Sequence, residues 1–363
     1  PEDYVPLPDV QAEWDEDNDG LSDNYFFAED PSRLGPRLES FFNAAAQTSS
    51  ASAVVANSVS FQSSTRIYQA RFDSADWTGQ LLSFRVNPAT GAIIDEDTST
   101  PLVIDPVWDA STEITAQYDN DTTPFNADSD DGRQIITRDP VNAVGIPFRW
   151  SSLTPAQQGL LDLNPATAAD DDEGPQRISY LRGEAGNELR NSGAYRNRAN
   201  TVDVSGNPVL VSNILGDNVN SSPAVVGVPD YGYIDTLEST AKGQDPPNNL
   251  YSDFVLANDN VDCSDDSRER EPMVYFGAND GMLHGVSACN GEEKLAYVPS
   301  TVVPLLPQLT SPNYSHRYFV DGSPTVVDAF WDDAWGTVLV GSLRAGGQAV
   351  FALDVTDPSQ FLE

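Results

Sequence analysis

The chain has 363 residues, of which 56 are Asp or Glu and 19 are Lys or Arg, so its net charge at pH 7 is −37. Such a charge repels the phosphates of nucleic acids and anionic lipid headgroups, and no apolar run reaches the roughly 18 residues that a spanning helix needs. The composition therefore argues against nucleic-acid and membrane-surface binding and predicts no membrane span.

Near its start the chain has a dense cluster of oxygen-bearing side chains, at residues 15–23. Carboxylates on alternate residues of a tightly turned loop converge on one point, where their mutual repulsion is tolerable only around a hard divalent cation. Gly20 stands at the position where calcium-binding loops turn sharply. We therefore predict a Ca²⁺ site whose ligands are four aspartate side chains and one backbone carbonyl: Asp15, Asp17, Asp19, Asp23 and the carbonyl of Leu21.

The loop departs from the usual calcium-binding pattern at its twelfth position, which is Phe26 instead of a bidentate Glu. Glu29, Asp30 or a water molecule would have to complete the coordination. The alternative interpretation of the cluster is an acidic, solvated turn. A second acidic run, at residues 119–131, lacks the alternate spacing closed by glycine, and we interpret it as an exposed loop.

Periodicity divides the rest of the chain into two parts. From Asp30 to about Val59, apolar residues recur every three to four positions, which predicts an amphipathic helix that begins near Pro31. After residue 60 the period changes to two, which is typical of strands. We therefore predict two parts: a calcium-loop and helix segment at residues 1–59 and an all-β domain at residues 60–363.

The all-β domain contains an internal repeat. A strand pattern followed by a tight turn recurs at residues 82–91, 283–291 and 350–358, and the Ser-Pro strand at residues 220–226 matches residues 321–327. The order of these strands and hairpins predicts four-stranded blades, the unit of a β-propeller. About three blades are recognisable, whereas a closed ring needs about four to eight. We therefore expect only part of the ring here, with the open sheet edge completed by another chain or by residues beyond this sequence.

Two further predictions concern local structure in the all-β domain. Residues 154–163 are expected to form a short helix with Pro155 at an early helical position. Residues 279–281, Asn-Asp-Gly, lie between two strand patterns and predict a hairpin, because Asp-Gly supplies the positive φ of a primed turn. The histidines, His284 and His316, are too few and too far apart to suggest a metal site, and we interpret each as a hydrogen-bonded β residue rather than a catalyst.

Cys263 and Cys289 are the only cysteines, so the chain cannot build a disulfide scaffold or a four-thiolate metal site. Cys263 lies in the acidic connection before one strand, and Cys289 lies in the turn after its hairpin partner. We predict a disulfide that fastens this connection to the blade in an oxidising compartment; the alternative is two free thiols. The sequence has no nucleophile elbow, no phosphate-cradling loop and no dinucleotide fingerprint, so we predict no catalytic residue.

Six sequence blocks of the all-β domain are distinctive, and they lie at residues 180–184, 215–223, 273–284, 297–300, 316–324 and 346–356. Together these blocks resemble the PilC/PilY-type family of type IV pilus biogenesis factors and tip adhesins. The resemblance implies a modified β-propeller, similar to that of quinoprotein dehydrogenases, in a protein exported through the periplasm of a Gram-negative bacterium to the pilus tip or cell surface. It implies pilins or minor pilins and a host or abiotic surface as partners.

The leading hypothesis is a non-enzymatic, calcium-binding protein of the type IV pilus machinery that acts in pilus assembly and surface adhesion. Two alternatives stay open. A structural surface or matrix component would use an open sheet edge to pair with another chain. A pyrroloquinoline-quinone-dependent dehydrogenase would use the same fold, but those enzymes resemble one another in a neighbouring pair of cysteines, whereas Cys263 and Cys289 are 26 positions apart.

Overall fold

The computed structural model describes nine stretches of the chain: residues 50–56, 66–87, 89–94, 105–119, 128, 131–204, 207–235, 250–265 and 267–361. All of these residues belong to one unit, which runs from Ser49 to Glu363. The predicted calcium loop and most of the predicted N-terminal helix lie outside the described residues. Both stay predictions, as does the division of the chain at residue 60.

Strands dominate the described residues. In chain order they are β1 (Ser50–Ala56), β2 (Arg66–Asp73), β3 (Thr78–Arg85), β4 (Trp108–Asp109), β5 (Ile135–Arg138), β6 (Gly145–Pro147), β7 (Ala199–Val204), β8 (Asn207–Ser212), β9 (Ala224–Val226), β10 (Met273–Gly277), β11 (Leu283–Ser287), β12 (Glu293–Val298), β13 (Thr325–Trp331), β14 (Ala334–Ser342) and β15 (Val350–Asp354). The α-helices are α1 (Ala110–Asp119), α2 (Pro155–Leu161), α3 (Gly174–Arg182) and α4 (Tyr251–Leu256). Short 3₁₀ helices lie at Trp150–Ser152, Leu189–Asn191, Val303–Thr310, Arg344–Gly346 and Pro358–Gln360.

Within the described part of the chain these strands form four sheets. Their strand orders are β1-β2-β3-β4, β6-β5-β12-β11-β10-β9, β13-β14-β15 and β7-β8. In the second sheet, β9, β10 and β11 are antiparallel neighbours in the order predicted for a blade, namely a strand after Ser-Pro, a strand that ends in glycine and, after a hairpin, a further strand. The fourth strand, β12, pairs antiparallel with β11 and was not identified from the repeat. The prediction of an all-β, propeller-type architecture is confirmed. The same sheet continues beyond the blade, because β5 pairs in parallel with β12.

β1 corrects the end of the predicted N-terminal helix. Six of its seven residues pair antiparallel with β2, from Ser50 opposite Phe72 to Ala56 opposite Ile67, and the register shifts between Ala51 and Ala53. The helix prediction is therefore wrong for these residues. The segment contains Ala, Ser and Val, and hydrogen bonding along the free edge of β2 outweighs the helix propensity of its alanines.

The second sheet is buried on both faces. Successive residues of a strand point to opposite faces, and β10 follows this rule. Val274 and Phe276 belong to a buried cluster with Tyr68 of β2, whereas Tyr275 belongs to a second cluster with Leu339 of β14. The first, second and third sheets therefore pack face to face, which is how propeller blades bury surfaces that a single blade would expose.

The two copies of the Ser-Pro repeat contact each other at equivalent positions. Asn220 Nδ2 donates to both carboxylate oxygens of Asp321, at 2.9 and 3.1 Å. Ser221 Oγ donates to the carbonyl of Gly322 at 3.2 Å, and the next N–H, that of Ser222, donates to Ser323 Oγ at 2.9 Å. Neighbouring blades therefore begin side by side, as strands around a common axis do.

One five-residue turn occurs five times in the described stretches of the chain, and we call it the αL turn. The N–H of its fifth residue donates to the carbonyl of its first, at 2.8 to 2.9 Å, and the first side chain accepts the N–H of the third residue. The fifth residue has a positive φ of 55 to 80°. The αL turns begin and end at Asp73 and Trp77, Asn87 and Gly91, Asp139 and Ala143, Asn164 and Ala168, and Ser287 and Gly291.

The predicted short helix is confirmed as α2. Thr154 Oγ1 accepts the N–H of Gln157, while the Gln157 side chain accepts the N–H of Thr154 at 3.1 Å, so the capping box is complete. Pro155 occupies the first turn, where its missing N–H costs no hydrogen bond. Among the helices that the structure describes, none has the length and apolar character needed to cross a bilayer.

The predicted hairpin at residues 279–281 joins β10 to β11, but the turn type was predicted wrongly. Ala278 N–H donates to the carbonyl of Met282 at 2.9 Å, which leaves three residues in the loop. Gly281 has a φ of +96°, and Asp280 does not adopt the left-handed conformation that a primed turn would require of it. The loop is therefore a three-residue turn that ends in a left-handed glycine.

The predicted disulfide between Cys263 and Cys289 is confirmed. It fastens the long connection between β9 and β10 to the αL turn that follows β11. Arg270 adds a second fastening, because its guanidinium donates to the carbonyl of Gly227 at 3.3 Å and to Thr337 Oγ1 at 2.9 Å. The two ends of the connection, at Gly227 and Arg270, therefore meet at one place.

Candidate functional site

The predicted calcium ligands Asp15, Asp17, Asp19, Leu21 and Asp23 lie outside the described residues, so the calcium site stays a prediction. Among the residues that the structure describes, no group of three or more His, Cys, Asp or Glu side chains is arranged to hold a metal ion. The described part of the chain offers a different candidate, which is built from buried charges.

His284, on β11, lies at the centre of these charges. Its side chain is 1% exposed, with Nδ1 2.7 Å from Glu293 Oε1 and Nε2 3.0 Å from Asp280 Oδ2. Burial alone would lower the pKa of His284, but the charge of Asp280 and the hydrogen bonds to both carboxylates raise it to about 9. At neutral pH the ring is therefore a cation that donates a hydrogen bond from each nitrogen.

Two arginines, Arg133 and Arg182, extend the set of charged side chains around His284. Arg133 donates to both carboxylate oxygens of Glu293, from Nε at 2.7 Å and from Nη2 at 2.9 Å. Burial would raise the pKa of Glu293, but the charge of Arg133 and the hydrogen bonds from His284 and Arg133 lower it to about 2. Arg182, at the end of α3, donates to the carbonyl of Arg133 at 2.8 Å.

Asp131 completes the set and corrects a prediction. It is 1% exposed, and Arg182 binds both of its oxygens at 2.5 and 2.7 Å. The interpretation of residues 119–131 as an exposed loop is therefore wrong for Asp131, because a carboxylate neutralised by arginine can be buried. Three cations and three anions form what we call the buried ionic network: Asp131, Arg133, Arg182, Asp280, His284 and Glu293.

The second histidine lies close to the network. His316 Nε2 is 2.9 Å from Asp217 Oδ2, and Asn279 Nδ2 donates to the same oxygen at 2.6 Å. Trp77, the last residue of the first αL turn, stacks on the His316 ring with 3.7 Å between ring centroids. Both histidines are thus hydrogen-bonded, as the sequence-based interpretation expected, but only His284 lies in a strand; the interpretation as a β residue is wrong for His316, which lies in the segment before β13.

Three of the six distinctive sequence blocks meet at these two histidines. The block at residues 215–223 supplies Gly216 and Asp217, and the block at residues 273–284 supplies Asn279 and Asp280. Gly216 N–H donates to Asp280 Oδ2 at 2.9 Å, and Asn279 N–H donates to the Asp217 carbonyl at 2.8 Å. The third block supplies His316, and Arg182, of a fourth block, is linked to His284 through Arg133 and Glu293. We call this meeting point the polar junction, and define it by these two pairs together with His284 and His316.

The polar junction can hold elements together and keep a proton, but it leaves little room for a substrate. The adjacent cavity has a volume of about 20 Å³ and is lined by Thr78, Arg196 and Asp280 among others. A cavity of that size holds about one water molecule. Both nitrogens of His284 are already engaged by carboxylates. The geometry is therefore that of a rigid connector between the blade hairpin, α3 and the segment before β13.

Sequence reasoning missed the polar junction because its partners are distant in the chain. Glu293 and Arg133 are 160 residues apart, and Asp217 and His316 are 99 residues apart. One signal was local: Asp280 stands in the hairpin turn, four positions before His284 on the strand that follows it. A carboxylate at that spacing can reach the first residues of the return strand.

Comparisons with known proteins agree with this architecture. Residues 215–361 match the family model described as the PilY1 β-propeller domain. The chain is 36% identical over 297 residues, or 80% of its length, to the type IV pilus biogenesis factor PilY1 of Pseudomonas aeruginosa strain PAK. It is 31% identical over 341 residues, or 93% of its length, to a PilY1 homolog of Xylella fastidiosa strain Temecula1.

The chain spans about a fifth of the length of the curated relatives it matches, at 21% of the Pseudomonas protein and 22% of the Xylella protein. The crystal structure of the P. aeruginosa PilY1 C-terminal domain is 43% identical where it matches, and the match covers 38% of this chain and 23% of that one with a TM-score of 0.27. From the family model and the identity over most of its length, the chain belongs to the PilC/PilY1-type family.

Proposed function

We propose that this chain is part of an exported, non-enzymatic protein of the type IV pilus machinery that acts in pilus assembly and in surface adhesion at the pilus tip. The observation that carries the proposal is the identity of 31 to 36% over 80 to 93% of the chain with proteins named as type IV pilus biogenesis factors. Pilins or minor pilins, and a host or abiotic surface, are the proposed partners.

The polar junction supports the non-enzymatic part of the proposal. General acid–base catalysis needs a group within hydrogen-bonding reach of a substrate proton. His284 has both ring nitrogens bound by Asp280 and Glu293 and is 1% exposed. Its arrangement is suited to stabilising the blade.

Localisation on purified pili tests the proposal. Antibodies against this chain, applied to pili sheared from the source bacterium and imaged by electron microscopy with gold label, are expected to mark one end of the filament. Deleting the gene should reduce surface pili and twitching, and the full-length gene should restore both. Label along the whole filament would indicate a structural component instead, and a protein confined to the cytosol would contradict the proposal.

Calcium binding is a separate part of the proposal, supported by the spacing of Asp15, Asp17, Asp19 and Asp23 and by the carbonyl of Leu21. A ligand that binds only the folded protein, at about 100 times its dissociation constant, adds about 2.7 kcal/mol to the free energy of unfolding. Thermal unfolding of the full chain should therefore shift upward with CaCl₂, and much less with MgCl₂. The variant Asp17→Asn with Asp19→Asn should lose the shift. An equal shift in this variant would contradict the assignment of the ligands.

A further inference from the structure

An open groove lies on the connection between β9 and β10, beside α4. It has a volume of about 680 Å³. The residues that matter for its chemistry are Tyr233, Ile234, Asp235, Val255, Leu256 and Asp259. We call it the α4 groove. Connections that leave a rigid scaffold are where binding surfaces are most often located, and this connection is fastened to the blade at both ends by Arg270 and the disulfide.

The walls of the α4 groove expose apolar side chains to solvent. Ile234 is 61% exposed and Leu256 is 67% exposed, and Val255 is part of the same lining. Tyr231, immediately outside the groove, is 46% exposed. Aliphatic and aromatic side chains grouped in this way on a surface are typical of an interaction site.

The base of the groove is held by aromatic packing. Tyr233 stacks on Trp335 of β14, with 5.1 Å between ring centroids and 25° between ring planes. Tyr251, the first residue of α4, donates its hydroxyl to Asp328 of β13 at 2.8 Å and accepts the N–H of Tyr231 at 2.9 Å. The groove is therefore formed before any ligand arrives, which reduces the entropy lost on binding.

Among the described residues, the charges that line the groove have one sign. These residues include the carboxylates of Asp235 and Asp259 and no Lys, Arg or His. Asp235 accepts the N–H and the hydroxyl of Ser252 at 3.0 and 2.8 Å, which orients its carboxylate without neutralising it. Within the described residues neither carboxylate forms an ion pair. A net charge of −37 also attracts cations from a distance.

We propose that the α4 groove binds a peptide segment of a partner protein in which a Lys or Arg stands beside aliphatic residues. Lys and Arg combine an apolar stem with a terminal charge, so the stem and its aliphatic neighbours pack on Ile234 and Leu256 while the charge faces Asp235 and Asp259. This inference goes beyond the proposed function, because it defines the partner by its chemistry and holds whether or not the protein acts in pili.

Binding of two labelled peptides to the full chain tests the proposal by fluorescence anisotropy. The probe is acetyl-Leu-Lys-Leu-Leu-Arg-Leu-amide, and the matched control replaces Lys with Glu and Arg with Asp. The basic peptide is expected to bind, and its dissociation constant should rise with NaCl because screening weakens the charge contacts. Equal binding of the acidic peptide, or no binding of the basic peptide at about 1 mM, would overturn the proposal.

Variants then place the peptide on the groove. Leu256→Ser should weaken binding about tenfold, and Asp259→Asn should weaken it about threefold. The controls are Asp253→Asn, an exposed aspartate on α4 outside the lining, and Val141→Ser, which removes an apolar side chain that is 79% exposed on another turn. Both controls should bind as the unmodified chain does. Equal affinity of all five proteins would overturn the assignment to this groove, and Asp259→Asn keeps the test valid if the serine variant fails to fold.

Discussion

Two side chains of the buried ionic network, His284 and Glu293, hold their protons differently in the folded and the unfolded chain. The pKa of His284 rises from 6.5 to about 9 on folding, so its contribution to stability is complete below about pH 6.5 and is lost as the pH rises through 9. The pKa of Glu293 falls from 4.5 to about 2, so its contribution is present above pH 4.5 and is lost as the pH falls through 2. Both contributions are complete only between about pH 4.5 and 6.5.

We expect the free energy of unfolding to decrease between about pH 6.5 and 9.5, and His284→Gln to remove most of that decrease. At about pH 6 the variant should be less stable by about 3 kcal/mol, because it leaves the partly buried Asp280 without its cation and removes one of the two cations that bind Glu293. Urea unfolding at a series of pH values measures both effects. The chain has only one other histidine, so His316→Gln is the matched control. A pH dependence that persists in His284→Gln but disappears in His316→Gln would contradict this assignment.

The fifth position of the αL turn allows a second test on single residues. A non-glycine residue in the left-handed region costs about 1 to 2 kcal/mol, and glycine avoids this cost. Ala168 has a φ of +55° and Gly91 has a φ of +72° in equivalent turns. Ala168→Gly should therefore stabilise the chain by about 1 kcal/mol, and Gly91→Ala should destabilise it by a similar amount. Chemical denaturation of both variants measures this, and changes of the same sign would contradict the equivalence of the turns.

These turns show where local sequence was sufficient. Asn-Pro-Ala-Thr occurs at residues 87–90 and again at residues 164–167, each followed by a small residue. This repeated sequence motif is sufficient to predict that both segments form the same turn. Trp77 occupies the same position in the first αL turn, and its bulk there is explained only by the stacking on His316. No local pattern could have indicated that contact, because it depends on how the sheets pack.

At the level of strands and connections, the close approach of two sequence blocks can be tested with a glycine. A Cβ on Gly216 would lie 2.4 Å from the backbone nitrogen of Asp280, whereas a Cβ on Gly227 would have no atom within 4 Å. Gly216→Ala should therefore separate the two segments of the polar junction and lower the unfolding temperature. Gly227→Ala, the matched control, should change it little. Similar unfolding temperatures for both variants would show that the junction tolerates the separation.

The disulfide gives a prediction for the connection between β9 and β10. Closing a loop of 26 residues stabilises the folded state by about 3 kcal/mol in the chain-entropy model. Cys263→Ser with Cys289→Ser should lose about this amount and should be cleaved faster by proteases within the connection. Limited proteolysis with mass spectrometry locates the cuts. Dithiothreitol should reproduce the effect in the unmodified chain and have no effect on the double variant; a double variant as stable as the oxidised chain would contradict the prediction.

The order of the strands within a blade could largely be predicted from the sequence, whereas the full set of strands that pair in each sheet could not. Alternation and the Ser-Pro repeat indicated β9 to β11 in the correct order, but not β12. The parallel pairing of β5 with β12 brings together Ile135 and Ala296, which no repeat connects. The hairpin after β10 was recognised from Asn-Asp-Gly, but its turn type depends on Asp280 binding His284 and Gly216. Local sequence therefore predicted individual strands and the hairpin, whereas contacts between residues distant in the chain decided the strand pairing and the turn type.

For the protein taken together, the charge of −37 predicts that salt stabilises the fold. The Debye length falls from about 30 Å at 0.01 M to about 10 Å at 0.1 M salt, so repulsion among surface carboxylates is screened. The ion pairs of the buried ionic network are shielded from solvent and are screened much less. The unfolding temperature should therefore rise with NaCl in calcium-free buffer containing EDTA. A fall with NaCl would show that exposed ion pairs outweigh the repulsion.

The hydrogen bond between Arg270 and Gly227, together with the disulfide, has a practical consequence. Because the connection leaves the blade and returns to it at one point, its length does not set the spacing of the strands on either side. Protein engineers could use the connection as a display site. Its residues between Gly227 and Arg270 could be exchanged for a foreign epitope while the order of the strands is kept. Evolution has the same freedom, so the sequence of this connection can vary among related proteins while the sheets that it joins stay unchanged.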